Sequence, residues 1–232
     1  MQSQGADIID IGGESTRPGA QEISVKEEIR RVIPVLKRFI KRSRIPVSID
    51  TRKPEVAEEA LRVGASIVND ITGLSQNERM AGVISSYKAA VVIMHIKGTP
   101  RTMQNAPRYK DLLSEIRNTL KKSVKVAKKA GIKKESIIID PGIGFGKTVN
   151  HNLRIINNIG RFKELGLPIM VGLSRKSFMG KVLKLDVKNR LIPTIACNVI
   201  AIKNGADIIR VHDVKEAIWA RDIVYEITVR GR

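Results

Sequence analysis

The chain has 232 residues, 42% of them hydrophobic and only 3% aromatic, which is enough apolar material for one substantial core. No run approaches the roughly 20 apolar residues of a membrane span, and the start lacks the basic-then-apolar pattern of a secretory leader. A net charge of +19 raises nucleic acid or an anionic membrane as a partner, but does not name one.

Taken in chain order, ADIIDI (6–11) is a near-continuous apolar run and reads as a buried parallel strand. GGESTRPG (12–19) follows as a Gly-rich loop. Ser24 and Glu27 form a capping box that opens a helix over 25–42, which Pro34 should kink or interrupt. PVSID (46–50) is the next strand, and Pro54 sits where the first turn of its helix begins. SIVND (66–70) and AVVIMH (90–95) are further strands, and the longest helix is expected over 109–130, stopped by Gly131. SIIID (136–140) leads into DPGIGFGKT (140–148), which fails as a nucleotide phosphate loop: Gly142 and Gly146 enclose three residues where that pattern needs four. PIMVGLS (168–174) and ADIIRVH (206–212) complete the strands. Cys197 and Trp219 both fall in helical stretches and read as helix packing, the thiol inert.

The basic residues alternate with apolar positions in RRVIPVLKRFIKRSR (30–44) and LKKSVKVAKKAGIKK (120–134), as on the solvated faces of amphipathic helices. With so few aromatic stacking platforms, this argues against nucleic acid as the partner. The single cysteine excludes an internal disulfide and fits a cytoplasmic setting.

Seven strands alternating with helices, and no linker, predict one domain over residues 1–232. Asp10, Asp50, Asn69, Asp70, His95, Asp140, Lys176, Arg210 and His212 stand at or just beyond strand ends. An open sheet gathers its ligand groups at one switch point, whereas a barrel gathers them from all strands, so the α/β class narrows to a (β/α)8 TIM barrel with seven of its eight strands. Arg210 and His212 share one face by strand alternation and suit an oxyanion. Asp50, Asn69 and Asp140 need donors inside an apolar barrel. Metal ions or a heterocycle rich in N–H groups would both serve, but His95 and His151 lack a convincing ligand spacing. A flat polar heterocycle deep inside and an anion at the rim are the expected occupants.

The ordered set DIGGESTRPGA, SIDT, NDI, MH, DPGIGFGKT, GLSRKS and RVHDV, covering essentially the whole chain, resembles the dihydropteroate synthase family. The resemblance implies that 4-aminobenzoate is joined to the methylene carbon of a 7,8-dihydropterin diphosphate, with loss of pyrophosphate. It implies pterin contacts from Asp50, Asn69, Asp140 and Lys176, with Ile71 and Met94 against the ring. Arg17, Arg210 and His212 would hold the diphosphate; Thr16, Phe145 and Ser177 would shape the aminobenzoate pocket. Asp50, Asp140, Lys176, Arg210 and His212 would carry the catalysis, with Mg2+ as cofactor, in a cytoplasmic homodimer. The family's first strand, whose Asn helps hold the Mg2+–diphosphate, has no match. An N-terminally truncated barrel is therefore expected, with no metal ligand of its own and weakened synthase activity. Two rivals remain: a pterin-binding methyltetrahydrofolate:corrinoid methyltransferase and a noncatalytic basic barrel that binds nucleic acid. STRPG and SRKS favour the synthase over the first.

Overall fold

The computed structural model describes residues 1–231. Its strands are β1 (Ile9–Gly12), β2 (Val47–Asp50), β3 (Ile67–Asp70), β4 (Ala90–Met94), β5 (Ile137–Asp140), β6 (Met170–Gly172) and β7 (Ile208–Arg210). The helices are α1 (Val25–Ile40), α2 (Pro54–Arg62), α3 (Glu78–Ser86), α4 (Leu112–Lys129), α5 (Val149–Asn157), α6 (Ser177–Leu183), α7 (Leu191–Lys203) and α8 (Val214–Val229). Strands β1 to β5 pair in chain order and β6 pairs with β7, every pair parallel, while an Ile139–Ile169 bridge joins the two groups. This is the winding of a (β/α)8 barrel, carried by seven strands. Between β7 and β1 lies a cavity of about 400 Å³, with no strand there among the described residues.

Two apolar layers hold this ring. Ile67, Val92 and Met170 form a small cluster apart from the main core, with Ala90, Ile138 and Ile208 against it. A much larger layer fills the space between strands and helices, and includes Leu36, Ile49, Ile93, Ile116 and Ile139, all fully buried. Because strand side chains alternate, one face of each strand feeds each layer. Truncating a core residue such as Leu36 to Ala costs about 2–5 kcal/mol in such a setting.

Four local expectations change. Helix α1 runs unbroken through Pro34. Pro34 and Arg30 are both exposed, so water can serve the carbonyl that Pro34 leaves without an N–H donor. Ser24 does cap α1 by accepting from the Glu27 N–H at 3.2 Å, but the Glu27 carboxylate turns to Arg30 and Arg31 instead of closing the box. Helix α4 begins at Leu112, capped by Asp111; Tyr109 stays outside and donates its hydroxyl to the Gly146 carbonyl at 2.8 Å. Trp219 does not pack inward: it is 58% exposed on α8, with the Lys215 ammonium over its ring. The basic residues of the 120–134 stretch that lie on α4, by contrast, do face solvent.

Candidate active site

The strand register places the polar groups side by side before any side chain is considered. Asp50 on β2 pairs with Asn69 on β3, and Met94 on β4 pairs with Asp140 on β5. Gly12 lies opposite Asp50, where an added Cβ would sit 3.2 Å from the Asp50 Cβ. Asp10, two residues earlier, therefore points to the same side as Gly12 and into the same cluster.

Those groups form an acidic floor. The Asn69 Nδ2 donates to Asp10 Oδ2 at 3.1 Å, and Arg210 reaches Asp10 through Nε at 2.6 Å and Asp50 through a terminal nitrogen at 3.0 Å. Asp10 Oδ1, Asp50 Oδ1 and Asn69 Oδ1 are buried and accept nothing. Three unpartnered acceptors in one cluster are costly unless a donor-rich ligand meets them. Burial, reinforced by the charge of Asp10 and only partly offset by Arg210, pushes Asp50 up to about 7. Burial also raises Asp140, against the pull of Lys176, although Asp140 Oδ1 accepts from the Gly142 N–H at 2.6 Å.

Lys176 closes the floor from the β6 side. Its ammonium donates to the Ile143 carbonyl and lies 4.7 Å above the Phe145 ring. Burial brings Lys176 down to about 8 despite Asp140. The backbone that delivers it is unusual: Arg175 adopts a left-handed φ of 54°. That geometry is held by a bidentate pair to Asp213 at 2.8–2.9 Å and by a hydrogen bond from the Arg175 N–H to the Thr194 hydroxyl.

The loop from Pro141 to Lys147 passes so close to β4 that a Cβ on Gly142 would lie 1.9 Å from the His95 carbonyl oxygen, at a φ of +69°. Lys147, 2% exposed, ties this loop down by bonding the Phe145 carbonyl at 2.9 Å and His95 Nδ1 at 3.0 Å. Burial and the neighbouring Lys147 lower His95 to about 2, so the imidazole is neutral.

At the rim, the Ser174 hydroxyl holds His212 through its N–H and its Nδ1, at 3.2 and 2.8 Å. Burial, then the charge of Arg210, depresses His212 against the pull of Asp213, and Arg175 and the exposed Arg17 add to the depression. Ile71 and Met94 are buried. Thr16 is half-buried, Phe145 half-buried, and Ser177 exposed at the start of α6. Ser177 and Pro18 share a second cavity of about 840 Å³ with Gln104 and Lys181, on the open side of Gly144. Asp10 had no assigned role from sequence; its place in the cluster follows only from the β1–β2 register, which sets Gly12 opposite Asp50. No group of three or more His, Cys, Asp or Glu side chains suited to a metal ion occurs among the described residues.

The model of the pterin binding enzymes matches residues 1–212. The dihydropteroate synthase of Escherichia coli K12 is 45% identical over 224 residues, covering 97% of this chain and 79% of that protein. A Yersinia pestis dihydropteroate synthase, solved with a sulfonamide drug, superposes with a TM-score of 0.95 at 40% identity, covering 100% of this chain and 83% of that one. The Thermus thermophilus enzyme in complex with 4-aminobenzoate gives a TM-score of 0.91 at 39% identity, covering 97% and 86%. A parallel barrel with an acidic floor and a basic rim is thus a pterin-binding enzyme. The chain belongs to that family and, within it, to the dihydropteroate synthases.

Proposed function

We propose that the acidic floor binds the pterin ring and the rim binds its diphosphate, so that the chain joins 7,8-dihydropterin-CH2-diphosphate to 4-aminobenzoate. The activity is that of a dihydropteroate synthase in folate biosynthesis. The observation that carries the substrate assignment is the trio of unpartnered buried acceptors on Asp10, Asp50 and Asn69 beside Arg210. A pterin offers ring N–H and amino donors to such a set. Asp50, Asn69 and Asp140 accept from the ring, Lys176 donates to its carbonyl side, and Ile71 and Met94 cover its face.

The reaction follows from charge. The bond between the pterin methylene and the diphosphate oxygen breaks with its electron pair going to oxygen, and the carboxylates of Asp50 and Asp140 stabilise the cation left behind. Arg210, His212 and Arg17 take up the negative charge of the departing diphosphate. The arylamine nitrogen then forms the new C–N bond and loses a proton. Thr16, Phe145 and Ser177 line the approach of the arylamine in this reading, and a relative solved with 4-aminobenzoate supports that substrate class. Mg2+ belongs to the same proposal: bound together with the diphosphate, it would help neutralise the charge of the leaving group. STRPG and SRKS suit these two substrates, and not a corrinoid.

A homodimer built on α7 and α8 completes the proposal. Ile192 is 81% exposed on α7, and Trp219, Ile223 and Ile227 are more than half exposed on α8, against which α7 packs. Such an apolar face on adjacent helices fits a second copy of the chain. No helix is long and apolar enough to cross a membrane, and a cytoplasmic location is proposed from the lone half-buried cysteine. The test of function is a product assay: with both substrates and Mg2+, dihydropteroate and pyrophosphate should form together. Pterin binding without product, at saturating 4-aminobenzoate, would overturn the synthase reading.

A further inference from the structure

The segment between Gly13 and Val25 leaves the barrel as an excursion that carries Thr16 and Arg17. It is tied to the barrel at both of its roots by consecutive residues. Lys53 Nζ donates to Glu14 Oε2 at 2.6 Å, to the Ile23 carbonyl at 2.7 Å and to Glu28 Oε2 at 2.8 Å. Glu14 Oε2 also accepts from the Ile23 N–H at 3.0 Å, so the two roots close on each other around one ammonium. Arg52 adds bonds to Glu14 at 3.1 Å and to Glu22 at 2.7 Å. Beyond these, the Arg31 bond to the Gly13 carbonyl and the Ser24 cap that accepts from the Glu27 and Glu28 N–H groups, the excursion's hydrogen bonds to the rest of the molecule reduce, among the described residues, to Gly19 N–H on the Pro100 carbonyl at 3.4 Å.

The anchor itself is rigid. Lys53 is 8% exposed and Glu28 1% exposed. The Lys53 N–H donates to the Thr51 hydroxyl, and the Thr51 N–H to the Asn69 carbonyl, so the anchor is continuous with the strand ends that place Asp50 and Asn69. Although burial opposes its charge, Lys53 is raised by Glu14 and Glu28, and it stays an ammonium.

We propose that Lys53, acting through Glu14, is a positioning residue that fixes the second-substrate loop relative to the pterin floor. This rests on the functional reading above, in which Thr16 and Arg17 serve 4-aminobenzoate and the diphosphate. Lys53 touches neither substrate. Its effect is to hold the loop at a set distance from Asp50, and a displacement near 1 Å in such a loop can cost about a hundredfold in rate.

Two variants test it. Glu14→Gln keeps the Lys53–Glu28 pair and removes the charge that holds the Glu14 root. The triple change Lys53→Met, Glu14→Gln, Glu28→Gln removes the anchor without leaving a buried charge alone. Hydrogen–deuterium exchange at residues 15–23 should accelerate about tenfold or more in both. The KM for 4-aminobenzoate should rise about tenfold, while the affinity for a bare pterin, which also reports folding, stays within about twofold. Unchanged exchange in both variants overturns the proposal, as does a parallel loss of pterin affinity and aminobenzoate KM. If the unaltered protein makes no dihydropteroate, the functional reading fails, and exchange alone decides whether Lys53 anchors the loop.

Discussion

A terminal guanidinium nitrogen of Arg210 lies 3.0 Å from Asp50 Oδ2, across 160 residues of sequence and four intervening strands. The same guanidinium is the leading candidate for the diphosphate. It already bonds Asp10 and Asp50, so binding a diphosphate as proposed would redistribute those bonds. Arg210→Met is expected to raise the KM for the pterin diphosphate about a hundredfold, as for loss of one partner of a close charge pair. Arg210→Lys should recover little of this, because an ammonium cannot span two acceptors as a planar fork does. Steady-state kinetics on the two variants check it.

The pH dependence has a definite sign. With Asp50 raised to about 7 and Lys176 lowered to about 8, kcat/KM should trace a narrow bell, its acid limb from loss of the Asp50 carboxylate and its basic limb from loss of the Lys176 proton. Asp50→Asn should flatten the acid limb. Stability runs the other way on that side. Between the ordinary 3.8 and about 7 the folded chain binds more protons at Asp50 than the unfolded chain does. Lowering the pH through this window therefore stabilises the ligand-free fold as far as Asp50 is concerned. Urea titrations of the parent and Asp50→Asn across the window measure it.

Gly142→Ala should be severe. Its Cβ would overlap the His95 carbonyl oxygen and force a residue with a side chain to a positive φ. A loss of about 3 kcal/mol or more in urea unfolding is expected, beyond the ordinary range for a surface change.

Ile192→Asp with Ile223→Asp should convert a dimer to a folded monomer in sedimentation, if two copies bury the α7–α8 face as proposed. Both residues are more than half exposed, so the fold itself loses little.

Chelation tests the proposed role of Mg2+ at the leaving diphosphate. EDTA should depress product formation while leaving bare pterin affinity unchanged, measured by calorimetry in parallel with turnover.

Much of this was legible because parallel strands advertise themselves. Apolar runs ending in polar residues located all seven strands, and the register sets Asp50 beside Asn69 and Asp140 beside Met94. Asp10 was harder, because nothing local distinguishes it from Asp70, whose carboxylate is spent on the Thr72 and Leu74 N–H groups. The Lys53–Glu14 tie joins residues 39 apart through no periodic pattern, so it emerges only in three dimensions. Trp219 misled because helix α8 is apolar on several faces, and a helix of that kind does not say which face turns inward.

The left-handed Arg175 has an implication for how the enzyme tolerates change. A non-glycine residue in that region costs about 1–2 kcal/mol relative to its relaxed form, and its side chain is anchored on Asp213 at the head of α8. The backbone that leads into Lys176 is therefore tied to the head of α8. If Lys176 holds the pterin as proposed, substitutions on α8 that shift Asp213 would act as remote controls on that grip, altering turnover without touching a substrate atom.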